Sequence, residues 1–216
     1  MGPVVAGLLL AAGAGRRYGM PKALVDDGGW LRRSVAALAD GGCDPVLVVL
    51  GAAAEQATAL LPDGARTVVA PDWEEGMGAS LRTGLAALAR PDAVKGTFTA
   101  SGAVTGPFTA AEGEADVEAD VEAALVHLVD LPDIGAAVVR RVIGHAAPDA
   151  VARAAFDGRH GHPVLLGRDH WEAVMAGATG DRGARHWLIG RADLILVDCT
   201  DLATGTDVDR APDGNP

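Results

Sequence analysis

The sequence predicts an α/β fold, a three-layer α/β/α sandwich built on a mostly parallel sheet. Three observations lead there. Residues 4–10, 46–51, 67–70 and 123–129 are short, continuous apolar runs without alternation, the pattern of strands buried on both faces. Segments with helical apolar spacing, at 30–39 and 52–61, lie between the first three of them. The first run then empties into a loop that mixes Gly13, Gly15 and Gly19 with Arg16, Arg17 and Lys22. In open parallel sheets ligands sit at the carboxyl ends of strands, and this loop lies at such an end.

Each element follows from local chemistry. Residues 30–39 (WLRRSVAALA) read as a helix closed by Gly41-Gly42. Pro45 opens the second strand, and Pro62 stops the alanine-rich helix at 52–61. Residues 73–88 are a loop running into a helix, with Ser80 as a candidate N-cap. A segment at 91–120, rich in Gly, Thr and acidic residues, has no periodicity and is expected to be a surface insertion in a single 1–216 domain. The strand at 123–129 ends in Asp130-Leu131-Pro132, and its His127 reads as a packed core residue. A helix at 134–144, a strand at 152–156, a connection through Gly161-His162-Pro163, a helix at 171–176 and a strand at 194–197 complete the order.

Composition narrows the function. At 216 residues and 49% hydrophobic content, the chain can bury a sizeable core. A formal net charge of −11 argues against a nucleic-acid surface, because a phosphate backbone would be repelled over most of the molecule. A polyanion must therefore meet locally concentrated cations, which the first loop supplies. Cys43 and Cys199 stand far apart with no CxxC or Cys/His spacing, so a reducing, cytoplasmic setting is expected. The arginines follow the first apolar run rather than precede it, the reverse of a secretory leader. No run is long enough to span a membrane.

The residues also carry a resemblance. LAAGAGRRYGMPK, at 10–22, resembles the signature loop of the MobA-like nucleotidyltransferases, LAAGxSxRMGxxK, with Gly15 for the usual serine and Tyr18 for the usual methionine. Further on, GMGASL (76–81) resembles the family's GMGxSL, and Asp130-Leu131-Pro132 its DxP. GHPVL (161–165) resembles RxGHPVLF, GDRGAR (180–185) matches completely, and TDVDRAPD (206–213) is a degraded DIDTPED. With LAAG rather than LAGG, the set is most similar to the molybdenum-cofactor cytidylyltransferases.

The resemblance implies a Rossmann-like sheet of the nucleotide-diphospho-sugar transferase type. It also implies transfer of a nucleoside monophosphate, CMP from CTP in preference to GMP from GTP, to the phosphate of a molybdopterin-type acceptor. Leu10, Ala11, Ala12, Gly13, Gly15, Gly19, Gly78 and Ser80 would contact the nucleotide, and Arg17 and Lys22 would offset charge on the leaving pyrophosphate. Asp130, with Asp207 or Asp209, would hold Mg²⁺. Gly161, His162, Asp181, Arg182 and Arg185 would line the acceptor pocket, and a molybdenum hydroxylase would use the product. Two alternatives stay open: a sugar or polyol phosphate as acceptor, and a non-catalytic nucleotide-binding maturation factor for molybdenum enzymes.

Overall fold

The computed structural model describes residues 2–62, 65–90 and 120–210, so the proposed insertion lies outside the described residues except for Asp120. The chain runs β1 (Val5–Leu10), α1 (Gly29–Asp40), β2 (Val46–Leu50), α2 (Ala54–Thr58), β3 (Arg66–Val69), α3 (Met77–Leu88) and β4 (Ala123–Leu128). It continues through α4 (Ala136–Ile143), β5 (Val151–Phe156), β6 (Arg159–Gly167), α5 (Trp171–Gly177), α6 (Arg185–Leu188) and β7 (Ile195–Asp198). The strands form one sheet of order β3-β2-β1-β4-β6-β5-β7, parallel throughout except for β6.

Alternate residues of β1 feed opposite faces of this sheet, and all six are buried. Val5 and Leu9 join a core that includes Leu31, Leu38, Val138 and Val142 of α1 and α4. Ala6, Leu8 and Leu10 join a second core with Leu81 and Leu85 of α3 and Trp171 of α5. Leu8 and Leu9 have no exposed surface, so truncation of either to alanine costs about 2–5 kcal/mol. The apolar runs thus mark strands covered on both sides.

The topology reverses at β1: its neighbours are β2 on one side and β4 on the other. The ends of β1 and β4 therefore open side by side, which puts the glycine loop next to Asp130. Two expectations change. Gly161, His162 and Pro163 form no connection but lie inside β6, the nine-residue antiparallel strand. The reversal occurs earlier, at Asp157-Gly158, both with positive φ (50° and 73°), the two-residue turn that suits a twisted hairpin. The second helix is also shorter than 52–61, because the amides of Leu60 and Leu61 turn back only to Ala57 and Thr58 ahead of Pro62.

Candidate active site

The loop after β1 and the start of α3 enclose a cavity of about 500 Å³, lined by residues 10–18, Lys22, Trp73, Met77, Ser80, Asp130 and Asp209, among others. Gly15 shapes the loop. Its φ is +63°, and its carbonyl accepts from the amides of Tyr18 and Gly19, closing a tight turn. A Cβ there would stand 1.7 Å from the carbonyl oxygen of Met20. The serine usual at this position cannot fit this conformation, so any contact from the loop at that point comes from backbone.

Lys22 is the centre of the charge network. Its Nζ donates to Asp130 Oδ2 at 2.8 Å and to Asp209 Oδ1 at 3.1 Å. Burial pulls its pKa down, but the hydrogen bond and charge of Asp130, and then those of Asp209, outweigh this and the net shift is upward. Arg17 reaches Asp209 at 3.7 Å but is largely exposed, and so contributes little in water. Asp130 Oδ1 is buried with no hydrogen-bond partner among the described residues. A buried carboxylate oxygen left in this way, in a cavity, is suited to a cation ligand.

The second carboxylate is delivered by the tail after β7. Asp133, three residues after Asp130, accepts on one oxygen from the Thr204 amide (2.8 Å), the Thr204 hydroxyl (2.6 Å) and the Gly205 amide (3.1 Å). The Val208 amide donates to the Asp130 carbonyl at 3.0 Å. These ties bring Asp209 to Lys22. Asp207 is exposed and lies outside the residues that line the cavity. Asp133 drew no attention in the sequence, although its place one residue past the Asp-x-Pro was visible.

A second cavity, of about 770 Å³, adjoins the first and shares Leu10, Met77 and Asp181 with it. It contains His162, Arg182 and Arg185, and also Arg153, His160 and Arg191, which the sequence reading did not single out. Burial, then the charge of Arg153 and of His127, lowers the pKa of His162 to about 3, so its ring is neutral at physiological pH. His127 is fully buried, with its pKa pulled to about 4 by burial against a weaker opposing pull from Asp133. It sits in the core, as expected.

Several expected contact residues do other work. Gly19 and Gly161 line neither cavity, and a Cβ at Gly161 would press on the Phe156 ring at 2.7 Å. Gly78 also lies outside the lining and packs on Thr179, whose amide would stand 2.7 Å from an added Cβ. Gly76, at φ +111° and ψ −169°, is the helix N-cap, and a side chain there would strike Asp181. Ser80 is therefore not the cap. It is buried one turn in and lines the first cavity.

Fold and site together define an α/β protein that gathers a glycine loop, a lysine and two carboxylates at the switch point of a parallel sheet, the layout of a nucleotidyltransferase. The chain belongs to the MobA-like NTP transferase domain family, which matches residues 7–194. It is 33% identical over 219 residues to the nicotine blue oxidoreductase of Paenarthrobacter nicotinovorans, covering 96% of this chain and 93% of that protein. Among solved structures it is similar to Rv0371c of Mycobacterium tuberculosis H37Rv (TM-score 0.67, 24% identity, 97% and 95% of the two chains), a protein also crystallised with manganese. A nucleotidyl transferase from Methanothermobacter superposes with a TM-score of 0.69 at 20% identity, over 97% of this chain and 93% of that one.

Proposed function

We propose that this protein transfers CMP from CTP to the phosphate of a molybdopterin-type acceptor, with release of pyrophosphate. The observation that carries the reading is Lys22, held between Asp130 and Asp209 at the mouth of the glycine loop. An acceptor phosphate oxygen attacks the α-phosphorus, its bond to the α–β bridging oxygen breaks, and that oxygen leaves with the pyrophosphate. No protein nucleophile is required, so catalysis is positioning and charge stabilisation.

The backbone of residues 12–19 cradles the triphosphate. Lys22, freed from one carboxylate partner, takes up charge on the leaving group, and Arg17 follows it. Asp130 and Asp209 are the residues that would hold Mg²⁺, and the buried, unpartnered Oδ1 of Asp130 fits that task. Among the described residues no group of three or more His, Cys, Asp or Glu comes together as a metal site. Two carboxylates suffice for an ion that takes its remaining ligands from phosphates and water. Held there, such an ion would supply neutralisation of phosphate charge. The second cavity receives the acceptor, and a molybdenum hydroxylase would use the product.

The Paenarthrobacter relative favours a second reading, a redox enzyme that places an electron donor in the first cavity. The pair of carboxylates around Lys22 argues for the first, since electron transfer has no use for such a site. Thermal shift with CTP, GTP and UTP, with and without Mg²⁺, tests the proposal. Stabilisation by CTP that needs Mg²⁺ and is lost in Asp130→Asn supports it. Stabilisation by NADH or NADPH alone supports the redox reading.

A further inference from the structure

Arg153 stands on β5, half-buried, and directs both Nε (3.2 Å) and Nη2 (2.9 Å) to the carbonyl oxygen of Gly161. These two nitrogens share one edge of the guanidinium. The end-on edge, Nη1 with Nη2, is left to face another group, and two parallel donors of this kind match a carboxylate or phosphate. Arg185, at the start of α6, faces the same cavity, and neither arginine has a carboxylate partner among the described residues. Arg33, Arg82, Arg141, Arg168 and Arg191, by contrast, each lie beside an aspartate or glutamate. Asp181 is the one carboxylate among the residues that line this cavity, and it pairs with neither arginine, so in a chain of net charge −11 the two like charges call for an anion. Burial, and then the charge of Arg185, push the Arg153 pKa down, the mark of a cation short of a partner.

The place of this pair matters. Arg153 pairs with Val164 and Val164 with Val126, which puts Arg153 level with the residue four before Asp130 and two strands away. With strand spacings of about 4.8 Å and a rise of about 3.3 Å per residue, the two Cα atoms stand roughly 16 Å apart. A phosphate reacting beside Asp130 and Asp209 is therefore a different group from one bound at Arg153. Leu188, Ile189 and Leu196 line the same cavity, and the last two are exposed to it and to solvent.

We propose that Arg153 and Arg185 clamp a second anionic group of the acceptor, remote from the reacting phosphate, with the apolar side chains holding the body between them. The acceptor class is then an elongated molecule with a phosphate at one end, an apolar or planar middle and a second oxyanion or comparable anion at the other. This rests on the nucleotidyl-transfer reading in taking the second cavity for the acceptor; the anion site itself does not.

Binding of inorganic phosphate, followed by NMR titration in a Lys22→Ala background that disables the first cavity, tests the clamp. Phosphate should perturb resonances of residues 153, 162 and 185 and saturate. Arg153→Gln keeps a donor for Gly161 but not the charge, and should weaken binding at least about tenfold. Arg185→Gln, at an exposed position that does not endanger folding, should do the same, and Arg153→Lys should recover most of the loss. Undiminished phosphate binding in Arg153→Gln or Arg185→Gln, or an equal response from an exposed site such as Arg33, overturns the proposal. CTP affinity measured on Arg153→Gln with Lys22 intact should be unchanged. Absence of any CTP binding would remove the nucleotidyl-transfer reading while leaving the phosphate result to stand or fall alone.

Discussion

Asp133→Ala should damage the site without touching it. The Asp133 carboxylate accepts three hydrogen bonds from Thr204 and Gly205, and four residues beyond Gly205 stands Asp209. Each such bond contributes about 0.5–1.5 kcal/mol net, and these are exposed, so the low end applies and the total is about 1.5 kcal/mol. That is a factor of about 10 in the balance between docked and loosened tail. The Val208 amide on the Asp130 carbonyl remains, so the tail frays rather than leaves. Amide hydrogen exchange at residues 204–208 should quicken by about that factor while the rest of the sheet is unchanged. Mn²⁺ affinity, measured by electron spin resonance, should fall toward that of Asp209→Ala. The double variant should bind no worse than Asp209→Ala alone, because Asp133 acts through Asp209. Unchanged exchange at 204–208, or losses that add in the double variant, would refute the mechanism.

Other changes have equally definite outcomes. Lys22→Ala should weaken CTP binding by roughly 1.5–3 kcal/mol in calorimetry, with the fold intact, since it removes a partly buried charge contact. Asp130→Asn should abolish Mg²⁺-dependent turnover with little change in melting temperature, because the amide oxygen still accepts from Lys22 and the backbone carbonyl still accepts from Val208. Gly15→Ser should strain the loop by about 1–3 kcal/mol and weaken nucleotide binding, although it restores the residue usual in the family, because φ is +63° and the Met20 carbonyl occupies the space. His127 has a folded pKa near 4 against about 6.5 unfolded, so the unfolded chain takes up the proton first. Its share of stability is complete above pH ~6.5 and falls by ~1.4 kcal/mol per unit as the pH drops toward 4. Urea unfolding of His127→Leu should show a shallower loss over that range.

Much of the fold, and the placing of the glycine loop beside Asp130, were legible because they depend on signals local in sequence. Strands covered on both faces must be continuous apolar runs, and β1, β2 and β4 are. Lys22 closes the loop that follows β1 and Asp130 stands just after β4, so their meeting followed from the parallel pairing of those two strands. Asp209 was not separable from Asp207, since an irregular tail has no period to say which carboxylate turns inward. That choice is made by Asp133, through contacts across 71 and 72 residues. Arg153 was hidden within the run VARAAF, where one cation in an apolar strand reads as an edge residue. The strand β6 was obscured because Gly161, His162 and Pro163 have the composition of a turn. The loop's glycines could be read as letting backbone approach an anion, but that Gly15 is needed for a fixed turn depends on its φ of +63° and on the Met20 carbonyl, which the sequence does not show.

The central claim is nucleotidyl transfer at the Lys22–Asp130–Asp209 cluster. It is tested most directly by incubating the wild-type protein with α-labelled CTP, Mg²⁺ and molybdopterin, and following the label and pyrophosphate together. The account predicts one pyrophosphate released for each labelled CMP joined to the acceptor, in the wild type and not in Asp130→Asn. A wild-type protein that leaves CTP intact, or that forms pyrophosphate equally well as Asp130→Asn, would contradict it.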